Sequence, residues 1–563
     1  MKHLLPVILL LSALALAQAP APASPQAYVN STYAPPVGGR TWSAHNSTDF
    51  KNAITSSMPG DLIVLDAGVT YVGNFTLPAK SNPGKKWIYV VSSALATLPS
   101  PGIRVAPKTD AVKMPKVVTP NTSFAISIAP GGNHYRLVGL EITSASTTGC
   151  TSSQNCYSQY LVYGASVPGQ PLADSVVVDR CYIHGSPTQD VREGVVVDGS
   201  NFAVVDSYIS DIHQSTNDSQ AVLGYYATGP IKVTNNYLES TGENIMFGGA
   251  GGYSNPWVPS DIEIRNNYFF KPLSWAKSGP GGTIPPGNQW AVKNLLELKS
   301  ARRVIIDNNV FENVWVSAQT GFAVMLTPRT HDTSMYAVVD DVMISNNTFR
   351  NVSSGFDVAE TDSSCLPANG CTNAGELKRV TFYNNLFLLG DMTQTGYTNG
   401  YGWGGLILPN VTDFVVQHNT FVPPPNLGYC KASVYFDISS TGPVSSGVSR
   451  TQNVWITDNV MCRQGYGSAG MIGQLPYSFS DYMGSPAPPD NRFRGNVLYA
   501  PTGDKVYPQP VHNYVSTLPL VYLNPSAGNY QLLSPNWTDT TDGKVAGYHS
   551  VIPQRLTFSS AVR

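Results

Sequence analysis

The chain has 563 residues, a formal net charge of −2 and only 12% charged residues. It has no basic stripe of the kind that nucleic-acid-binding proteins use, so we expect no nucleic-acid partner. The 50 glycines, 43 prolines and 30 tyrosines indicate short strands separated by turns, which is a β composition.

The first residues predict export. Residues 1–19 combine a short basic start, an apolar run and small residues, which is typical of a secretory signal peptide cleaved after Ala17 or Ala19. No later segment is long and apolar enough to span a bilayer. We therefore expect a secreted protein, extracellular or periplasmic, that begins with a Pro/Ala-rich linker over residues 20–40.

A short amphipathic helix is predicted after this linker. It begins at Ser47, Thr48 and Asp49 and places apolar residues on one side: Phe50, Ala53 and Ile54. The helix ends near Pro59 and Gly60, and the strand LIVLDAG follows. A helix in this position can cover the open end of a stack of strands, which would otherwise expose its core and backbone.

A phrase with two asparagines recurs along the chain, for example VTNNYL at 233–238 and IDNNVF at 306–311. The irregular spacing excludes a leucine-rich repeat and predicts a parallel β-helix over 41–515, with three short strands per rung and loops of variable length. We expect the second asparagine to occupy the left-handed region at a tight turn and to stack on its neighbours. It forms the column Asn236, Asn267, Asn309, Asn347, Asn385, Asn419, Asn459 and Asn496.

The phrase I-x-x-N-x-F, the predicted helix cap and the signal peptide resemble the secreted right-handed parallel β-helix proteins of the pectate-lyase-like superfamily. The resemblance covers about residues 45–500 and implies an all-β, right-handed solenoid. The segment 516–563 resembles the C-terminal cap of such proteins. Because this superfamily includes lyases, hydrolases, epimerases and adhesins, the resemblance alone leaves the activity open.

Seven cysteines fit an exported protein. Four of them form two close pairs in polar loops, where we expect disulfides: Cys150 with Cys156, and Cys365 with Cys371. Cys430 and Cys462 fall on consecutive repeats and can pair. Cys181 lies in the asparagine column, which predicts a buried free thiol.

Strand alternation predicts which side chains face outward after each asparagine turn. The inward set is Val195, Ala221, Ile245, Leu296, Ala323, Phe356 and Leu406. The outward set includes Gln220, Asn244, Met246, Glu297, Lys299 and Asp357. The superfamily resemblance implies that a substrate groove lies on this outward strand face.

Glu297 and Lys299 are the main candidates for chemistry because the run NLLELKS is otherwise apolar. We expect Met246 and Val324 to flank Glu297, and this apolar setting would raise the pKa of its carboxyl group toward that of a general acid. A surface ion pair on a half-buried strand is the alternative interpretation.

Two reaction types remain open. Asp357 shares the column of Glu297 two rungs on, so the two carboxyls can reach the separation of an inverting glycosidase pair. Lys299 and Arg329, in contrast, resemble the Lys/Arg sets of the superfamily's polysaccharide lyases. That resemblance implies Arg329 as the neutraliser of a uronate carboxylate, with Lys299 or His331 as the base and Glu297 as orienter, cation ligand or acid.

Several other residues are candidates for substrate or cation binding. Glu243 and Asn244 begin one outward strand. The residues Asp211, His213, Asp218 and Gln220 on the preceding rung can bind a sugar or Ca²⁺; a solvated turn is the alternative interpretation for each. Aromatic side chains in the long loops either stack on sugar faces or pack in the loops' own cores: Trp257, Trp290 and Trp403.

The sequence therefore predicts a secreted, monomeric enzyme that cleaves an extracellular polysaccharide, with β-elimination slightly favoured over hydrolysis. The cofactor is unknown, with Ca²⁺ as the candidate. The alternative is a non-catalytic, glycan-binding surface protein, in which Glu297, Lys299, Arg329 and Asp357 would not converge on one cleft.

Overall fold

The protein is described here by a computed structural model. It covers residues 21–145, 160–167, 169–215, 217–249, 258–276, 290–329, 337–359, 376–392, 402–407, 411–436, 452–465, 468–473, 492–507 and 512–550. The strands form three long parallel sheets, and the chain visits sheet 1, sheet 2 and sheet 3 in turn on each rung. This architecture confirms the predicted right-handed parallel β-helix.

Sheet 1 begins each rung. Its strands are β1 Thr41–Ala44, β2 Leu62–Leu65, β5 Ile88–Ser92, β8 Asn133–Val138, β11 Ala173–Asp179, β14 Gly199–Val205, β17 Ile231–Thr234, β20 Ser260–Arg265, β23 Ala301–Asp307, β26 Val338–Ser345, β29 Glu376–Tyr383, β32 Thr412–Gln417, β35 Gln452–Thr457 and β38 Phe493–Arg494.

Sheet 2 follows the asparagine turn. Its strands are β3 Thr70–Val72, β6 Lys116–Thr119, β9 Glu141–Ser144, β12 Tyr182–His184, β15 Tyr208–Ile212, β18 Tyr237–Ser240, β21 Tyr268–Phe270, β24 Val310–Val314, β27 Thr348–Val352, β30 Leu386–Leu389, β33 Thr420–Val422, β36 Val460–Met461, β39 Val497–Tyr499 and β41 Tyr514–Ser516.

Sheet 3 completes each rung and carries the candidate site. Its strands are β4 Phe75–Leu77, β7 Ile126–Ile128, β10 Tyr160–Gly164, β13 Glu193–Val196, β16 Gln220–Gly224, β19 Glu243–Phe247, β22 Leu296–Leu298, β25 Phe322–Leu326, β28 Ser354–Val358, β31 Trp403–Ile407, β34 Ala432–Phe436, β37 Ser468–Gly473 and β40 Lys505–Tyr507.

The turn between sheets 1 and 2 explains the paired asparagines. The second asparagine forms a buried ladder, in which each Nδ2 from Asn236 to Asn496 donates to the Oδ1 of the next rung at 2.9 to 3.1 Å. The expectation that this residue is left-handed is wrong. The first asparagine takes that conformation, because the turn needs positive φ one residue earlier: Asn235, Asn266, Asn308, Asn346 and Asn384 have φ of 54 to 58°.

Stacked aromatic rings fill part of the interior. Phenylalanines that follow the ladder asparagines two residues later stack rung on rung, with ring centroids 4.3 to 4.9 Å apart: Phe269, Phe311, Phe349, Phe387 and Phe421. All are fully buried. One repeated sequence phrase thus supplies both the polar ladder of the turn and an apolar stack beside it.

The N-terminal helix is α1, Ser47–Ser56, and a short second helix, α2, spans Pro107–Asp110. The Asn46 side chain caps α1 by accepting from the backbone N–H groups of Thr48 and Asp49. As predicted from the sequence, α1 buries Phe50, Ala53 and Ile54, and the Phe50 ring lies 4.5 Å from that of Phe75.

The segment before the solenoid is not a loose linker in its described part, residues 21–40. The backbone N–H groups of Ala23 and Gln26 donate to Asp341 on β26 and to Asp261 on β20, two strands of sheet 1 that β23 separates. The Arg136 guanidinium donates to the carbonyls of Ser31 and Thr32, each at 2.9 Å. Carboxylates on the solenoid thus satisfy backbone groups of the arm and hold it in place.

The C-terminal segment packs beside sheet 2. Its antiparallel hairpin, β42 Val521–Asn524 and β43 Asn529–Ser534, leads into a stretch in which Leu532 and Ala546 bury against Val460 and Val497. The described part, 516–550, therefore covers apolar positions on the outer face of the last rungs.

The Cys430–Cys462 disulfide is present, with Cα atoms 6.0 Å apart, and Cys181 is a buried free thiol. The other two predicted disulfides, the predicted signal peptide, Trp257 and His331 lie outside the described residues. Within the described part of the chain, no helix is long and apolar enough to cross a membrane.

Candidate active site

The strand register of sheet 3 defines two outward columns. One contains Glu193, Gln220 and Glu243 on three consecutive rungs. The other contains Met246, Glu297, Met325 and Asp357 in that order. Because adjacent strands lie about 4.8 Å apart, side chains of one column are in reach of their neighbours.

Part of the predicted register is wrong. Met325, not Val324, flanks Glu297, and Val324 packs in the core. On three rungs the residue in the inward column lies one position away from the predicted one. The column contains Val222, Val324 and Gly405 in place of Ala221, Ala323 and Leu406. The connections from sheet 2 to sheet 3 differ in length between rungs, so distance from the asparagine turn does not fix the strand register.

The carboxyl groups of Glu243 and Glu297 form a hydrogen-bonded pair. Glu243 is fully buried and Glu297 is 3% exposed. Burial raises the pKa of Glu297; Lys299 opposes this shift, and the negative charge of Glu243 adds to it. The two carboxyls therefore hold one proton between them, on the Glu297 side.

Burial by itself would also raise the pKa of Glu243. The positive charges of Lys293 and Lys299, together with hydrogen bonds from Glu297 and Gln220, outweigh burial and lower it. Gln220 Nε2 donates to Glu243 Oε2 at 2.5 Å. The side chains around Glu243 thus favour its charged form.

Two lysines flank the carboxyl pair. Lys299 Nζ lies 3.6 Å from Glu297 Oε1, and Lys293 Nζ lies 3.7 Å from Glu243 Oε1 and 2.5 Å from Asp218 Oδ1. The carboxylates of Glu243 and Asp218 raise the pKa of Lys293 against the effect of burial. Sequence reasoning missed Lys293 because it precedes the strand and therefore falls outside the alternation pattern.

Two glycines of the preceding rung pack closely against Lys299 and position it. Gly248 and Gly249 have φ of 80° and 93°, and a Cβ at Gly249 would lie 2.8 Å from Lys299 Cδ. A Cβ at Gly248 would lie 2.4 Å from the backbone N of Ser300. The glycine pair therefore forms a tight turn that packs directly on the lysine stem.

Arg329 lies on the rung after Lys299. Its backbone N–H donates to the Lys299 carbonyl at 2.8 Å, so the two cationic residues are neighbours across the sheet. Asp357 lies two strands from Glu297, with Met325 between them. The structure brings four of the five predicted catalytic residues onto adjoining rungs; their catalytic roles stay predictions.

Glu193 is a third buried carboxyl group that sequence reasoning did not single out. It is fully buried, and Arg192 Nε lies 3.1 Å from its Oε1. Burial raises its pKa well above the ordinary value, and Asp218 and Glu243 add to this shift although Arg192 opposes it. A correct alignment of EGVVVDG with Gln220 and Glu243 would have revealed it.

Lys271 supports the turn that leads into Glu243. It is fully buried, and its Nζ donates to the carbonyls of Ser240, Thr241 and Gly242 at 2.6, 3.1 and 2.6 Å. Burial lowers its pKa to about 7, whereas three carbonyl acceptors favour the ammonium form. No signal in the sequence identified this residue.

Two of the predicted substrate-binding residues are placed elsewhere. Asn244 points inward, where its Nδ2 donates to the carbonyls of Leu238 and Phe270 at 2.7 and 3.0 Å. Trp290 is 3% exposed, and its ring lies 3.7 Å from that of His213 in a cluster apart from the main core. As placed, neither side chain offers a surface to a sugar, because both are used for packing.

Trp403 remains available for ligand contact in part. It is half-buried on sheet 3, with the Tyr435 ring at 4.5 Å and Lys431 Nζ at 4.6 Å from its ring centroid. Two candidate cation ligands lie on the rung of Gln220. His213 is buried against tryptophan rings, and Asp218 contacts Lys293 of the candidate site.

The acidic end of the site fits Ca²⁺ by its donor chemistry. Gln220 Oε1 and Glu243 Oε1 are buried and make no hydrogen bond within the described part of the chain. Amide and carboxylate oxygens are the donors that Ca²⁺ takes in proteins. Gln220, Glu243 and Glu297 would hold such an ion, which would replace the proton of Glu297.

Comparisons with known proteins bear on the fold. No family model matches the chain, and no curated protein matches it. Among solved structures, it is similar to AlyGC, a PL6 family alginate lyase, with a TM-score of 0.51 and 14% identity over 91% of this chain and 57% of that one. This likeness shows the parallel β-helix fold. The chain matches little more than half of the length of AlyGC.

Further similar structures have lower scores. An alginate lyase from Paenibacillus sp. str. FPU-7 has a TM-score of 0.37 and 14% identity over 67% of this chain and 93% of its own. A polygalacturonase from Erwinia carotovora ssp. carotovora has a TM-score of 0.42 and 12% identity over 77% of this chain and 100% of its own.

Proposed function

We propose that the protein is a secreted polysaccharide lyase that cleaves a uronate-containing polymer by β-elimination, with Lys299 as the base and Arg329 as the neutraliser of the uronate carboxylate. One observation carries this proposal. The backbone N–H of Arg329 donates to the Lys299 carbonyl, so the two residues are adjacent just beyond the ends of neighbouring strands of sheet 3, and Lys299 also lies beside the buried Glu243–Glu297 pair.

The reaction needs one cation and one base. The C5 proton of a uronate becomes acidic once a positive charge neutralises the adjacent carboxylate, which is the role of Arg329. Lys299, as the neutral amine, then takes that proton. The C5–H electron pair forms the C4–C5 double bond, the C4–O bond breaks, and the departing glycosidic oxygen takes up a proton. His331 is the alternative base.

The acidic residues orient the site. Glu297 and Glu243 hold Lys299 and Lys293 in place, and Gln220 fixes the Glu243 carboxylate. A Ca²⁺ ion bound by Gln220, Glu243 and Glu297 would add positive charge toward the substrate carboxylate.

The carboxyl geometry favours elimination over hydrolysis. Glycosidases keep their two carboxyls at least about 5 Å apart so that the sugar or a water fits between them. Glu243 and Glu297 instead share a hydrogen bond. The remaining hydrolase candidate is Glu297 with Asp357, which Met325 separates.

The similarity to AlyGC supports a uronate as substrate. AlyGC is described as an alginate lyase. We therefore place alginate first in the substrate panel, followed by pectate. Export by the predicted signal peptide at 1–19 is part of the proposal, because such polymers are extracellular.

The test is an assay for unsaturated uronate ends by ultraviolet absorbance on this panel. We expect the wild-type protein to produce them and Lys299→Ala to lose activity by roughly 10²–10⁴-fold. Lys299→Arg keeps the charge but removes the base, and it should be equally inactive. Lys232→Ala, which removes a strand lysine from sheet 1, is the matched control and should retain wild-type activity.

Other outcomes would contradict the proposal. Release of reducing ends without unsaturated products would assign the protein to the hydrolases, with Glu297 and Asp357 as the pair to mutate. Binding of the polymer without any cleavage, unchanged in Lys299→Ala, would support the glycan-binding alternative. A wild-type rate in Lys299→Ala would exclude Lys299 as the base.

A further inference from the structure

A second cluster of potential ligands lies far along the chain from the candidate active site. The turn position that holds a left-handed asparagine on earlier rungs holds His418 and then Asp458 on the next two, with φ of 55° and 62°. His418 follows β32 and Asp458 follows β35, so they are neighbours across one strand spacing. These two successive rungs therefore have the same backbone conformation at the turn as the earlier rungs, but they carry a different side chain there.

The C-terminal segment brings a third residue to these two. His418 Nε2 lies 3.2 Å from Asp542 Oδ1 and 3.8 Å from Asp458 Oδ2. One donor atom from each residue lies within 4.8 Å of the other two. His418 and Asp458 are fully buried, and Asp542 closes the cluster from the solvent side.

The histidine ring is buried without the hydrogen bonds it needs. His418 is 0% exposed, and neither its Nδ1 nor its Nε2 makes a hydrogen bond of good geometry within the described part of the chain. Leaving buried polar nitrogens unsatisfied costs free energy. A buried imidazole that points at two carboxylates is satisfied by a cation placed between the three groups.

We propose that His418, Asp458 and Asp542 bind one divalent transition-metal ion, of which Zn²⁺ is the best match. One imidazole nitrogen and two carboxylate oxygens form a donor set that suits Zn²⁺ better than Ca²⁺ or Mg²⁺, which take oxygen ligands. His549 offers a further imidazole nitrogen close to His418. Its Nε2 is also buried without a hydrogen bond among the described residues, and its ring centroid lies 5.1 Å from that of His418.

The neighbouring contacts orient the carboxylates. Asp458 Oδ2 accepts from Gln417 Nε2 at 2.9 Å and from the Thr541 hydroxyl, and Asp458 Oδ1 accepts from the Thr541 backbone N–H at 2.8 Å. Lys544 Nζ contacts the other oxygen of Asp542, Oδ2, at 2.9 Å. These contacts fix the orientation of Asp458 and leave Asp542 Oδ1 facing His418. Hydrogen bonds to the ligand side chains orient metal ligands in the same way in known metal sites.

The function of this site is to fasten the C-terminal segment to the solenoid. Two ligands come from turns of the solenoid, and the third comes from the segment that covers Val460 and Val497. Binding of the metal to the folded protein alone raises the stability of this junction. It requires neither Lys299 nor Arg329, so it is independent of the lyase proposal.

The test compares the full chain with His418→Asn after removal of metals by a chelator. Asparagine is the matched substitution because it occupies the same left-handed position on earlier rungs, including Asn384. We expect Zn²⁺ titration by calorimetry to give about one site per chain in the wild-type protein and none in His418→Asn. Zn²⁺ should also raise the Tm of the wild-type protein, by at least about 2 °C, and leave that of the variant unchanged.

Two further measurements separate this site from the acidic residues of the active site. Glu297→Gln should keep the zinc stoichiometry, and Asp542→Asn should lose it. Co²⁺ bound in place of Zn²⁺ should give a visible absorption spectrum that disappears in His418→Asn. Equal zinc binding by the wild-type protein and His418→Asn, or loss of the site in Glu297→Gln alone, would overturn the proposal. Absence of zinc binding in the wild-type protein would overturn it as well.

Discussion

Two buried carboxyl groups, those of Glu243 and Glu297, dominate the electrostatics of sheet 3 at the residue scale. They lie on adjacent strands and share a hydrogen bond, with Lys293 on one side and Lys299 on the other. The pKa of Glu297 is raised, chiefly by burial, while the surrounding charges and hydrogen bonds lower that of Glu243. Two chemically identical side chains thus have different protonation states because their neighbours differ.

This difference predicts a pH-dependent stability. A carboxyl whose pKa is higher in the folded than in the unfolded protein stabilises the fold fully below the unfolded value, about 4.3, and this stabilisation is lost as pH rises through the folded value. We expect Glu297→Gln to remove this dependence, because glutamine mimics the protonated acid. At mildly alkaline pH the variant should gain on the order of 1–3 kcal/mol relative to the wild-type protein.

The measurement is Tm of both proteins across the pH range from acid to mildly alkaline. Gln220→Glu is not a suitable control because it adds a charge. Asp49→Asn, in the first turn of α1, changes one carboxyl without touching the pair. Parallel pH profiles of the wild-type protein and Glu297→Gln would show that Glu297 is not protonated in the folded state.

At the element scale, the connections between strands position the chemistry. The asparagine turn between sheets 1 and 2 is the same on many rungs, because the ladder bonds require it. The connections beside sheet 3 vary, and Gly248–Gly249 is one case in which a connection packs on a candidate catalytic side chain. Lys299 is therefore placed by a turn from the preceding rung as well as by its own strand.

We predict that Gly249→Ala reduces catalysis while the protein still folds. The added Cβ would lie 2.8 Å from Lys299 Cδ and push the amine out of position, which we expect to lower kcat by roughly 10–100-fold. Gly102→Ala is the matched control. Gly102 has φ of 88° and no atom within 4 Å of its added Cβ, so it carries similar backbone strain without the contact.

The two variants are compared by steady-state kinetics and by Tm. Both should lose stability by about 1–2 kcal/mol from the left-handed backbone, but only Gly249→Ala should lose activity. Equal activity of the two variants would show that Lys299 does not depend on this contact.

At the scale of the whole molecule, the solenoid is held by contacts between successive rungs and by segments that run along its outside. The N-terminal arm is bound through Asp261, Asp341 and Arg136, and the C-terminal segment lies across the last rungs. The Cys430–Cys462 disulfide joins two loops near that end and encloses a sequence separation of 32 residues.

We expect removal of this disulfide to destabilise the C-terminal rungs locally. Replacing both Cys430 and Cys462 by serine should cost about 3–4 kcal/mol in chain entropy, which limited proteolysis and Tm would detect as earlier opening of this end. Lyase activity should persist at low temperature, because each rung contacts only its neighbours. Cys181→Ser, which removes a free thiol, is the control, and an identical proteolysis pattern in both variants would contradict the prediction.

The sequence by itself determined the fold, the helix α1 and its buried residues, and the placement of Glu297, Lys299, Arg329 and Asp357 on adjoining rungs. These features depend on local alternation and on a repeated phrase, both of which can be read along the chain. The sequence also placed Cys430 and Cys462 on consecutive rungs, because each copy of the asparagine phrase corresponds to one rung.

Only the tertiary structure decided which residues meet across rungs. These contacts join residues that are far apart in the chain. Examples are the contacts of Glu243 with Glu297 and Lys293, and the approach of Asp542 to His418. The burial of Trp290 likewise depends on the folded structure. Loops of irregular length shift the register between rungs, and a shift of one residue reverses the face of a side chain. The neighbours that set the charge of a buried group are therefore fixed by the folded register and not by sequence spacing.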